Sequence, residues 1–162
     1  MTRDVDALIL LTDKDWETFL ATGERFSFRP RQRDVLGFAR TSHVLLMTHQ
    51  PSSIDADIVF GTLPFEKEAV MRAVQTRIAG TLIPLVTAED LVIMKAVANR
   101  AHDLRDIESL LDANDDIDLR RVRRWVKHFS AVLETPEILD DLQTLIAKHR
   151  RSPRKRVSRK KK

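Results

Sequence analysis

The sequence predicts an α/β fold of the α+β kind: a mixed β-sheet with helices, followed by a helical C-terminal half and a disordered basic tail. Three observations carry this reading. Short β-branched or aliphatic runs cluster in the first ninety residues, two of them alternating with acids at period two. From Thr87 onward apolar residues recur at helical spacing through four segments. The last fourteen residues, from His149, hold nine Lys or Arg and no acid.

In chain order, Val5 to Leu11 reads as a buried strand, with Asp4 and Asp6 alternating against Val5 and Ala7. Thr12 and Asp15 open a helix that buries Trp16, Phe19 and Leu20, and Gly23 is expected to close it. Phe26 to Arg33 reads as extended and basic, and a short helical stretch carries Val35, Leu36 and Phe38. His43 to His49 and Ile54 to Gly61 read as a hairpin joined by the turn residues Gln50 to Ser53. On its second strand Asp55 and Asp57 share one face, opposite Ile54, Ala56, Ile58 and Phe60. Leu63 to Gly80 is predicted as one amphipathic helix, with Pro64 in its first turn and Gly80 at its end, before a strand from Thr81 to Val86. Thr87 caps the next helix, whose apolar face is Leu91, Met94, Val97 and Ala98. Three further helices start near Asp103, Asp118 and Pro136.

A chain of 162 residues suits one domain, placed at 1–148, with a sheet-containing part at 1–86 and a helical part at 87–148; the tail is 149–162. Cysteine is absent, which excludes disulfides and thiolate metal sites and leaves carboxylates and five histidines as metal ligands. No apolar run nears the roughly 20 residues of a membrane span, and no leader precedes Asp4, so the expected location is the cytoplasm. Without the tail the chain holds 19 basic against 24 acidic residues, a net of −5, so the basic character belongs to the tail. The tail lacks the apolar residues that would offset its ordering and can bind phosphate backbones by counterion release.

Asp4, Asp6 and Asp57 are the candidate centre. Residues i and i+2 on a strand share a face, and a third carboxylate from a neighbouring strand completes a cluster that repels itself unless cations neutralise it. Mg²⁺ prefers such oxygen ligands and suits phosphoryl or nucleotidyl transfer. The stretches "TRDVDALILL", "DADIVFGTLPFEKEAV" and "LVTAEDLVIMKAVANRAHDLRDIESLL" together resemble the nucleotidyltransferases of the polymerase-β superfold, specifically the minimal and AbiEii-like groups that include toxin–antitoxin components. The resemblance runs from Thr2 to about Leu111. It implies that Asp4, Asp6 and Asp57 bind metal, Mg²⁺ or Mn²⁺ in its place. Asp57 is preferred to Asp55 because the family acid directly precedes the apolar "IVFG". It also implies that Lys95, Arg100, Asp103 and Asp106 lie at the nucleotide or acceptor side. The family's upstream strand with its Gly-Gly or Gly-Ser turn, which lets backbone N–H groups approach a triphosphate, has no counterpart here: Gly23, Gly37, Gly61 and Gly80 all lie downstream of Asp6.

The five histidines have no metal-ligand spacing and read as structural or surface groups. Arg120, Arg121, Arg123, Arg124 and Lys127 form a basic helix around Trp125 that can extend a phosphate track. The function the resemblance implies is transfer of an NMP group from an NTP to a hydroxyl acceptor, with RNA slightly favoured, and with an antitoxin or a second copy of the chain as partner. The alternatives are a catalytically inactive binding module of the same fold, or a fragment shortened at its N-terminus.

Overall fold

The computed structural model describes residues 4–151 and resolves them into two compact units that divide between Ala73 and Val74. The first unit is built on a four-stranded mixed sheet of order β1-β4-β3-β2, with β1 at Asp4–Ile9, β2 at Phe28–Pro30, β3 at Val44–His49 and β4 at Ile54–Phe60. β1 runs parallel to β4, while β3 is antiparallel to both β4 and β2. Strand alternation sends Ile58, Phe60, Leu45 and Met47 to one face, where they pack with Trp16 of α1 (Trp16–Arg25) and Ala39 of α2 (Val35–Ser42). Trp16 stacks on Phe60 at 4.4 Å between ring centroids. The opposite face carries the acids. One further helix, α3 (Pro64–Arg72), follows β4, and the Glu66 carboxylate accepts the N–H groups of Thr62 and Leu63 at its start.

The second unit opens with a two-stranded antiparallel hairpin, β5 (Val74–Ile78) and β6 (Thr81–Leu85). Four helices follow: α4 (Ala88–Ala98), α5 (Ala101–Ala113), α6 (Leu119–Val132) and α7 (Glu137–Arg151). Val92, Ile93, Ile107, Val122, Val126, Leu142 and Ile146 form their buried core. As expected, Thr87 caps α4 by accepting the Asp90 N–H. No helix among the described residues is long and apolar enough to cross a membrane.

Several local readings need correction. β1 is not buried: Asp4, Val5 and Asp6 are exposed and Ala7, Leu8 and Ile9 half-buried. On α4 the buried apolar residues are Val92, Ile93 and Ala96, while Leu91, Met94 and Val97 are half-buried and Ala98 is exposed. The segment Leu63–Gly80 is not one helix: it stops at Arg72, and Val74–Ile78 is a strand. Ala79 and Gly80 both take positive φ, 48° and 88°, the backbone of a two-residue hairpin turn, which reverses the chain into Thr81. Gly23 does not end its helix, because α1 continues to Arg25 and the left-handed residue is Ser27. The expected tail start at His149 lies within α7, which runs on to Arg151, and His149 Nδ1 stands 2.9 Å from Asp112 Oδ1; residues 152–162 of the tail lie outside the described residues.

Candidate functional site

The register of the parallel pair builds the acidic face. Asp4 stands beside Asp55 and Asp6 beside Asp57, so β1 and β4 present four carboxylates in two rows on the face opposite Trp16 of α1 and Ala39 of α2. Neighbouring strands lie ~4.8 Å apart, close enough for these charges to oppose one another. Asp4 and Asp6 are exposed, and neither carboxylate has a hydrogen-bond or ion-pair partner among the described residues.

The two acids of β4 are held. Arg31 follows β2 directly and donates its N–H to Leu46 O on β3, 2.9 Å away. Leu46 is in turn the neighbour of Asp57, so the Arg31 side chain crosses β3 to reach β4. Its guanidinium pairs with Asp57 through Nη2 and with Asp55 through Nη1 at 3.4 Å. Thr48, beside Asp55, donates its hydroxyl to Oδ1 at 2.6 Å. The sequence reading missed Arg31. Its only trace there is the basic, extended segment around Pro30, because nothing local shows which strand will lie two places away.

The chemistry of these donors suits a hard cation: Asp4, Asp6 and Asp57 offer only carboxylate oxygens. Among the described residues no group of three or more acidic or histidine side chains stands close enough together to hold a metal ion. In the arrangement observed, the counter-charge for Asp55 and Asp57 is the Arg31 guanidinium.

Lys95, Arg100, Asp103 and Asp106 belong to the second unit and form one network there. Lys95 Nζ donates to Asp106 Oδ2 at 2.7 Å and to Asp103 Oδ1 at 3.3 Å. Arg100 lies just before α5 and donates from Nε to Asp103 Oδ2 at 2.6 Å. Asp103 is fully buried, and the Arg100 hydrogen bond, aided by Lys95, outweighs burial and lowers its carboxyl to about 2. Asp106 is lowered too, chiefly by the Lys95 hydrogen bond. Burial works against the Lys95 ammonium, yet the hydrogen bonds and charges of Asp106 and Asp103 prevail and hold it above its ordinary value.

Of the basic cluster on α6, Arg121 is not a surface group. It is buried and donates from Nε and Nη2 to Asp90 Oδ1 at 3.0 and 2.7 Å. Trp125 is half-buried, close to His128 and Phe129. No protein-family model matches the chain, and no curated protein is detectably similar to it.

Proposed function

We propose that this chain is a Mg²⁺-dependent nucleotidyltransferase of the cytoplasm, transferring NMP from an NTP to a hydroxyl acceptor. The observation that carries the reading is the parallel register that lays Asp4 and Asp6 alongside Asp55 and Asp57 on one face of the sheet, with Asp4 and Asp6 exposed. Asp4 and Asp6 would hold the cation, with Asp57 completing the set as Arg31 releases it. Bound there, Mg²⁺ supplies charge neutralisation for the triphosphate and the leaving group. In the transfer, the acceptor oxygen bonds to the α-phosphorus, the bond from that phosphorus to the bridging oxygen breaks and pyrophosphate leaves. Asp57 takes the hydroxyl proton. The family resemblance assigns Lys95 and Arg100 to the triphosphate charge, with Asp103 and Asp106 beside them. It also suggests a toxin–antitoxin setting, and the basic tail favours RNA as acceptor.

The Arg31 contacts favour a second reading. A guanidinium that neutralises Asp55 and Asp57 does in part what a metal would do, so the face would stand as a binding surface without catalysis.

Calorimetric titration with non-hydrolysable ATP, GTP, CTP and UTP analogues separates the two. Under the enzyme reading at least one analogue binds only with Mg²⁺, and Asp6→Asn abolishes binding while leaving stability equal or higher, because like-charge repulsion is relieved. Absence of Mg²⁺-dependent binding to all four would sink the enzyme reading and leave the binding module.

A further inference from the structure

The first unit holds a concave feature at the carboxyl ends of β1 and β4, away from the acidic rows. A cavity of about 540 Å³ opens where β1 and β4 end, beneath Leu10 and Leu11 on one side and Gly61 and Thr62 on the other. Its size falls within the roughly 300–1,000 Å³ usual for small-molecule sites. Crevices beyond the carboxyl ends of parallel strands are where open α/β sheets receive ligands. From Asp6 to Leu10 the chain climbs four residues, or ~13 Å at strand rise, so this cavity is apart from the acidic face.

Its charge is of the opposite sense. Arg40, in the last turn of α2, and Lys67 of α3 both line it, and neither side chain has a hydrogen-bond or ion-pair partner among the described residues. His43 adds an imidazole, held in the left-handed region at φ 55° where α2 meets β3 and set edge-on to Trp16. Thr62 contributes a hydroxyl, Thr12 one whose proton already goes to Asp15 Oδ2 at 2.7 Å so that it can only accept, and Asp13 supplies a carboxylate acceptor. The wall is apolar, made by the two leucines and Trp16. The Trp16 ring is buried, and its indole N–H has no acceptor among the described residues. Two unpaired cations from different helices, hydroxyls and an apolar wall match an organic molecule that bears a phosphate.

We propose that this cavity binds a small phosphorylated organic molecule. The phosphate is taken by Arg40 and Lys67, the guanidinium providing paired donors and the ammonium a point charge. The carbon body lies against Leu10, Leu11 and Trp16, and Asp13 accepts from a hydroxyl or amine of the ligand.

The chain has two tryptophans, so full-length protein carrying Trp125→Phe reports from Trp16 alone. It is titrated in EDTA, which keeps divalent cations from the acidic face, with adenosine 5′-monophosphate, glucose 6-phosphate, pyrophosphate and citrate. The same titrations read by calorimetry capture binding that leaves the indole signal unchanged. The expected result is saturable, submillimolar binding of at least one of the two organic phosphates. Arg40→Ala and Lys67→Ala each weaken it by about tenfold or more, as loss of a charge-assisted contact does, and Asp6→Asn leaves it unchanged. Both cations are exposed and alanine suits a helix, so circular dichroism of the variants should match that of the parent. Absence of binding, equal binding in the Arg40→Ala/Lys67→Ala double variant, or citrate binding as tightly as the phosphates would each overturn the proposal. The nucleotidyltransferase reading is judged on Mg²⁺-dependent binding lost with Asp6→Asn, so either can fail alone.

Discussion

Arg31 reaches over a strand to neutralise two acids, and that contact sets what its removal should do. With the guanidinium gone, Asp55 and Asp57 face Asp4 and Asp6 without a counter-charge. Ion pairs this exposed are worth about 1 kcal/mol or less each once solvent screens them, so the two together amount to roughly tenfold in an equilibrium constant. In Arg31→Ala, Mg²⁺ affinity is expected to rise by roughly tenfold by calorimetry, with stability in EDTA reduced and recovered on adding Mg²⁺. Unchanged Mg²⁺ affinity would show that Arg31 and the ion do not compete. The buried pair of Asp90 and Arg121 plays a different part. Asp90 is fully buried, Thr87 donates to its second oxygen at 3.0 Å, and Arg121 donates twice to the first. Asp90→Ala removes the carboxylate that takes both of these guanidinium bonds and so breaks a buried ion pair, an expected loss of ~3–5 kcal/mol in urea unfolding.

At the scale of elements, the β5–β6 hairpin shows what local patterning leaves open. Val70, Val74 and Ile78 are spaced as a helical stripe, while Val74, Thr76 and Ile78 are spaced as one face of a strand. Both templates fit, and the deciding feature is Ala79-Gly80, where two successive positive φ values make the turn. Alanine at φ 48° is strained, whereas asparagine tolerates the left-handed region and Asn-Gly is a favoured hairpin turn. Ala79→Asn is therefore expected to stabilise the chain by ~0.5–1 kcal/mol, seen as a higher urea midpoint with unchanged slope. Other elements were legible because their signals are local: the alternation of Asp4 to Ala7, the turn residues Gln50 to Ser53, and the Thr87 cap. The placing of Asp55 and Asp57 on one face followed from alternation alone. Their pairing with Asp4 and Asp6, and the reach of Arg31, depend on strand order and register. Those are fixed by contacts between residues far apart in sequence, and no periodicity reports them. For the same reason Arg121 looked like its exposed neighbours: an arginine's burial depends on the carboxylate it meets on another helix.

Over the whole molecule, charge governs behaviour at the extremes of pH. Asp103, Asp106 and Asp118 all have carboxyls lowered in the folded state, Asp103 to about 2, the last of the three chiefly by the Arg121 backbone N–H. The unfolded chain therefore binds more protons in this range, so stability rises with pH between about 2 and 4 and is fully present above it. Lys95 and Lys148 are raised, the second by Glu108, so their contribution is present below their ordinary value of 10.5 and is lost as pH rises beyond it. Urea midpoints measured from pH 2 to pH 7 should climb, and Asp103→Asn should flatten the acid limb. Failure to flatten it would place the acid sensitivity elsewhere. The acidic sheet also has a kinetic consequence. β3 and β4 close across the four residues 50–53, whereas β1 reaches β4 across the forty-four residues 10–53, a larger chain-closure cost. Docking that strand brings Asp4 and Asp6 against like charges at the moment of closure. Refolding of the first unit is thus a search completed against an electrostatic barrier, and dissolved salt, by screening it, should quicken the final step.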